Sequence, residues 1–137
     1  MEAHFVPLVT ILALIQYIRM SIAVGAARSK YGIKAPATTG NPDFERVLRI
    51  QLNTLEGLPI FLGSLWLFAL YLNPLVAGLL GVVYIIGREM FAIGYAKAAD
   101  QRSAGFTVQF IATSVLTLGS LVGIVGAMAG SPLQFTL

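Results

Sequence analysis

Cysteine is absent from the 137 residues, so the chain can build no disulfide, thiolate metal site or cysteine nucleophile. One histidine, His4, is too few for a zinc site made from protein nitrogens, and no metal is expected. Charge is scarce: 11% of residues are Asp, Glu, Lys or Arg, against about 25% in soluble domains. A soluble domain of this length exposes too much surface for so few charges. What replaces charge is apolar bulk, at 57% of residues. Nine basic against six acidic residues leave a net charge of +3. On so apolar a chain this is not a nucleic-acid footprint, and no nucleic-acid partner is expected. It suits a membrane, where basic residues collect in particular loops. The length suggests one domain, 1–137.

A transmembrane helix needs about 20 mostly apolar residues. Four segments qualify, at about 5–27, 42–71, 74–99 and 105–128. Asn41-Pro42 and Asn73-Pro74 each pair a good N-cap with a good first helical residue. Gly130-Ser131-Pro132 ends the last segment. The first lacks a basic start and carries Arg19 within it, so it is not expected to be a cleaved signal peptide. The expectation is an all-α, integral membrane four-helix bundle. Arg28, Lys30, Lys34, Arg46 and Arg49 lie in or beside the first loop, and Lys97 and Arg102 at the third. Positive loops stay in the cytoplasm, which puts loops one and three there and both termini on the far side.

Ionisable residues inside spans are costly and usually face a bundle interior or a cavity. In the second span Arg46, Arg49, Asn53 and Glu56 follow one another at helical spacing, on one face. Tyr84, Arg88, Phe91 and Tyr95 do the same in the third, and Arg102 extends the series. Gln16 and Arg19 share a face of the first. Glu56 is fourteen residues past Pro42 and Arg88 fourteen before Arg102, so each lies roughly 21 Å along its helix from the cytoplasmic end. Three helices thus place charge in the same half of the bundle.

Arginine forks bind carboxylates in bidentate fashion, and a buried glutamate pairs with an ammonium. The complementary ligand is small and zwitterionic, with more negative than positive charge. Glutathione fits, and phosphorylated or other acidic ligands fit almost as well. The apolar outer half suits a lipophilic second substrate arriving from the bilayer. Arg49–Glu56 can equally be an internal ion pair that pins helices together. Arg88 can pair with Glu56 or Glu89 to shape the pocket, and Glu89, one step off the stripe, reads as a helix-packing partner. Ser103 reads as the N-cap of the fourth helix. Gly119, Gly123, Gly126 and Gly130 suggest close helix packing.

The run Ala35–Glu56, with its Glu45-Arg46 pair followed by Arg49, Asn53 and Glu56, resembles the family of membrane-associated proteins in eicosanoid and glutathione metabolism (MAPEG). Val83–Arg88, Gly94-Tyr95 and Arg102 match a second motif of that family, in the right order. The resemblance spans essentially the whole chain and is nearest to the family's glutathione-transferase branches. It implies a homotrimer in which glutathione, a co-substrate, binds between neighbouring subunits near the cytoplasmic side. It implies glutathione contacts from Arg49, Gln51, Asn53 and Glu56, with Tyr95 from the third helix and Arg88 as the buried pocket arginine. Arg28 would reach the site from the neighbouring subunit, and Arg102 would activate the thiol as the catalytic residue. Gly57 and Phe91 stand where eicosanoid-conjugating members carry tyrosines, and Ser29 replaces an arginine. These departures bear on the lipophilic partner more than on glutathione.

The implied activity is conjugation of glutathione to lipophilic electrophiles, with peroxidase action on lipid hydroperoxides possible from the same thiol, in a bacterial inner membrane. The alternative within the family is a non-catalytic lipid-binding scaffold, which predicts a degraded glutathione face. A small multidrug antiporter would carry its key carboxylate in the first helix, which here has no acid within the span.

Overall fold

The computed structural model describes residues 2–137. Helix α1 runs Glu2–Tyr31, α2 Pro42–Tyr71, α3 Pro74–Lys97 and α4 Ser103–Met128, with a 3-10 turn at Ala99–Arg102 before α4. The fold is a four-helix bundle, and all four helices are long and apolar enough to cross a membrane. The two Asn-Pro starts form as the sequence suggests. Asn41 Oδ1 accepts from the backbone N–H of Asp43 at 2.8 Å and of Phe44 at 3.1 Å. Asn73 Oδ1 accepts from Val76 N–H at 2.8 Å. Asn73 also donates to the Phe135 carbonyl at 2.7 Å, tying the C-terminal tail to the α2–α3 turn.

Three boundaries differ from the sequence reading. Helix α1 continues past Ala27 to Tyr31, because the charges at Arg28 and Lys30 mark the edge of the apolar span and not the end of the helix. The stop is Gly32, at φ 66°, with Ile33 N–H donating to the Arg28 carbonyl at 3.0 Å. That left-handed residue and long-reaching bond make a glycine C-cap. Helix α3 ends at Lys97, before the 3-10 turn takes over. Helix α4 opens at Ser103, whose hydroxyl donates backward to the Asp100 carbonyl at 3.4 Å, so it does not cap the helix. The preceding turn is already helical in φ and ψ, leaving no extended residue there to act as a cap.

The core is layered by Val9 from α1, Phe61 and Leu65 from α2, Ala77 and Tyr84 from α3, and Ala112 and Leu116 from α4. Phe61 and Tyr84 stack with ring centroids 3.7 Å apart. The outward faces of α1 and α4 are exposed Leu, Ile and Val, as a hydrocarbon solvent requires. The tightest helix pair is α3 with α4, and glycine permits it. A Cβ on Gly105 would lie 2.1 Å from the Phe91 backbone nitrogen, and one on Gly87 2.6 Å from that of Gln109. The glycines expected to pack α4 do so differently: Gly119 and Gly123 seat Phe68, Tyr71 and Leu72 of α2 and the turn that follows it, and Gly130, at φ 74°, serves the terminal turn.

Gly105→Ala should therefore destabilise the protein by roughly 1–3 kcal/mol, the usual cost of overpacking. Gly25→Ala, where an added Cβ meets nothing within 4 Å, should leave the thermal midpoint in detergent unchanged or raise it. Equal midpoints for the two variants would contradict this packing.

Candidate functional site

Where α2, α3, the 3-10 turn and α4 converge, a groove of about 400 Å³ opens. Its walls are Arg49 and Asn53 from α2, Phe91 and Tyr95 from α3, Arg102 from the turn, and Ser103, Phe106 and Thr107 from α4. The turn folds tightly against α3 because position 94 is glycine: a Cβ there would lie 2.1 Å from the Gln101 carbonyl oxygen. That close approach sets the Arg102 guanidinium 5.5 Å from the centre of the Tyr95 ring.

Beneath the groove lies Arg88, 2% exposed. Its Nη1 donates to Asn53 Oδ1 at 3.0 Å and its Nη2 to Thr54 Oγ1 at 2.6 Å. Its guanidinium sits 4.3 Å from the centre of the Phe91 ring. Thr54 in turn donates to the Ile50 carbonyl at 2.7 Å, which frees its lone pairs for Arg88. With Asn53 Oδ1 occupied from below, the Asn53 amide N–H groups are left to serve the groove. Arg88 has no carboxylate partner among the described residues, and no acidic side chain lines the groove. Two arginines on the walls and a third below therefore share no compensating anion from the groove itself. The groove is therefore electropositive, an arrangement chemically suited to an anion.

The structure brings together Arg49, Asn53, Tyr95 and Arg102, with Arg88 as their support. It does not bring the other expected residues to the groove of the same chain. Gln51 turns to α1, where its amide donates to Tyr17 Oη at 3.2 Å and Ser21 Oγ at 3.4 Å. Glu56 is exposed one turn beyond Asn53, so neither the Arg49–Glu56 nor the Arg88–Glu56 ion pair forms. Arg28 donates to the Ala37 carbonyl at 2.8 Å and lies 4.9 Å from the centre of the Phe44 ring, bracing the first loop. Of the four-residue stripe on α2 only the middle two side chains reach the α3–α4 junction, and Arg46 instead pairs with Asp43. Nor is the polar level a single cluster. Arg19 pairs with Glu89, and Gln16 Nε2 donates to Glu89 Oε2 at 3.1 Å and to the Ile85 carbonyl at 3.0 Å, all on the α1–α3 face. Glu89 is thus a packing partner, and it does not serve Arg88.

The sequence reading missed Thr54, Phe106 and Thr107. Thr54 falls one position off the charged stripe. The α4 wall carries no charge, and its only signal was a Ser103–Thr107 pair one helical turn apart.

Fold and site together define a small four-helix integral membrane protein with an electropositive groove between three of its helices. The MAPEG family profile matches residues 6–122. An uncharacterized protein of Synechocystis is 50% identical over 117 residues, 85% of either chain. Human microsomal glutathione S-transferase 2 is 40% identical over 129 residues, 94% of this chain and 88% of its own. Bovine leukotriene C4 synthase is 37% identical over 103 residues, 75% of this chain and 69% of its own. The chain belongs to the MAPEG family.

Removing the acceptor that holds Arg88 should be felt directly. Thr54→Val should cost about 1.5–3 kcal/mol, as for other hydrogen bonds to a charged group. An unchanged thermal midpoint would show that Thr54 does not hold the guanidinium.

Proposed function

We propose that this chain is a membrane glutathione transferase that joins the glutathione thiolate to lipophilic electrophiles. The observation that carries this reading is the groove itself: Arg49 and Arg102 on its walls, Arg88 beneath, and no acid among its lining residues. The names of two relatives, a glutathione S-transferase and a leukotriene C4 synthase, support it.

Arg49 is placed to fork a glutathione carboxylate, which the Asn53 amide and the Tyr95 hydroxyl help to orient. Arg102 faces the thiol. A free thiol ionises near pH 8.5, and an adjacent cation lowers that value. A fall of about two units takes about 2.7 kcal/mol of preferential thiolate stabilisation. The Tyr95 ring, 5.5 Å from the Arg102 guanidinium, holds that charge at the edge of the groove. The thiol proton leaves to solvent. The sulfur pair then forms a bond to the electrophilic carbon, and the bond to the leaving group breaks with its electrons, or an epoxide oxygen opens and takes a proton. With a lipid hydroperoxide the same thiolate attacks the outer oxygen. That yields the alcohol and a sulfenic acid, which a second glutathione converts to disulfide and water.

In this reading the working unit is a homotrimer. Arg28 reaches the groove of a neighbouring subunit, and Gln51, on the α1 side, serves that groove as well. Glu56 meets the ligand's ammonium at the subunit boundary. Loops one and three, and so the groove, face the cytoplasm of a bacterial cell, where glutathione is supplied.

Arg49→Ala should raise the dissociation constant of glutathione about 10- to 100-fold, the loss of charged hydrogen bonds. Arg102→Ala should leave that constant within about fivefold at pH 7, as linkage to a two-unit thiol shift requires, while turnover at pH 7 falls several-fold, the deficit closing above about pH 9, where thiolate forms unaided. Full turnover at pH 7 in Arg102→Ala would sink the role of Arg102. Failure of the wild-type protein to bind glutathione would leave the lipid-binding scaffold.

A further inference from the structure

The Arg19–Glu89 pair faces the wrong solvent for an ordinary ion pair. Its side chains are 61% and 36% exposed, well inside two helices long and apolar enough to cross a membrane. Charge at such a position is costly and normally turns into the bundle. Here it is held outward. Gln16, itself buried, donates from Nε2 to Glu89 Oε2 at 3.1 Å and to the Ile85 carbonyl at 3.0 Å, so the carboxylate is anchored at the α1–α3 seam. Among the described residues only Oε2 of Glu89 and only Nη2 of Arg19 are engaged. One carboxylate oxygen and the other guanidinium N–H groups remain open on the outer face.

Beside the pair, a trough of about 340 Å³ runs between α1 and α3, floored by Val47 and Ile50 of α2. Apart from the pair its walls are apolar, and the small side chains of Ala23, Ala92 and Ala96 keep it open. It uses a different face of α3 from the one that Phe91 and Tyr95 turn to the groove. Its depth is also informative. Ile22 and Ile93 are the last large apolar side chains exposed on α1 and α3 toward the first and third loops. They lie three residues past Arg19 and four past Glu89, roughly 5 and 6 Å along the helices. The pair is thus about one turn inside the hydrocarbon edge, from which a snorkelling arginine reaches the phosphate layer.

We propose that this trough binds a bilayer phospholipid with a primary ammonium headgroup, a phosphatidylethanolamine, with Arg19 taking the phosphate, Glu89 the ammonium and the trough one acyl chain. Charge complementarity selects the headgroup. Arg19 and Glu89 cancel, so an anionic headgroup gains little net attraction, whereas a phosphate joined to a nearby ammonium matches the two charges in turn. The open Glu89 oxygen needs an N–H donor, which a trimethylated headgroup lacks. The apolar walls select the source, because a water-soluble zwitterion would leave them uncovered. The inference stands apart from the glutathione reading, since no residue is shared with the groove.

The test places the full-length protein in nanodiscs of equal parts dioleoyl phosphatidylethanolamine, phosphatidylcholine and phosphatidylglycerol, and counts retained lipids by native mass spectrometry. The first two differ only in the methyl groups on nitrogen, so their ratio reads the ammonium contact. Wild type should retain the ethanolamine lipid about tenfold over the choline lipid, as one charged hydrogen bond allows. Glu89→Gln should bring that ratio toward one and raise retention of the glycerol lipid, because Arg19 loses its neutralising partner. Arg19→Gln should lower retention of the ethanolamine and choline lipids together, several-fold, because both carry the phosphate. A wild-type ratio near one overturns the proposal and leaves the pair as a clamp between α1 and α3. So does a ratio that survives Glu89→Gln, which would put the headgroup elsewhere. Circular dichroism in the same nanodiscs checks that each variant is folded. If Glu89→Gln is not, Arg19→Gln, which keeps the Gln16–Glu89 bond, decides: unchanged retention overturns the proposal and its loss supports it.

Discussion

A guanidinium buried in a membrane protein without a carboxylate partner is expensive, and much of the site is arranged around the one at Arg88. Its two hydrogen bonds reach across from α3 to Asn53 and Thr54 of α2. They fix the spacing of those helices at the depth of the groove and fix which way the Asn53 amide faces. The charge is met by neutral oxygens and the face of Phe91, so its field is not cancelled locally. An anionic ligand entering above it is attracted by a charge that the fold has already paid for.

The second constraint is steric. Gly87, Gly94 and Gly105 allow α4 and the turn before it to lie against the α3 backbone. Arg102 comes from that turn, so its position beside Tyr95 depends on the glycines. An arginine on a short 3-10 turn at the wet end of a bundle would otherwise be a mobile surface charge. Here one turn of backbone, held by close packing, delivers it to the edge of the groove. Charge from α3 and from the turn thus converges on one cavity while the lipid-facing surfaces stay apolar.

The bundle was legible because its signals are strong and local: four long apolar runs, two Asn-Pro starts and basic residues gathered mostly at two loops. Membership of the family was legible from two spaced motifs, and Arg49, Asn53, Tyr95 and Arg102 do meet in the groove. What spacing did not convey is rotation about the helix axis to within one residue. Arg46 and Glu56 share a stripe with Arg49 and Asn53, yet they miss the groove. Gln51 faces the opposite neighbour, and Thr54, one step off the stripe, carries Arg88. Charge also overshadowed hydroxyls, so the α4 wall went unread. Arg19 and Glu89 found each other because α1 packs on α3, a pairing that neither helix's own pattern declares.

The central claim is that the groove holds glutathione as its thiolate. The most direct measurement is an ultraviolet titration of the thiolate band of glutathione bound to the wild-type protein, from about pH 5 to 9. Thiolate bound beside Arg102 should titrate about two units below the free thiol value of about 8.5. Bound glutathione that titrates with the free thiol would contradict the account, because the groove would then bind the tripeptide without activating it.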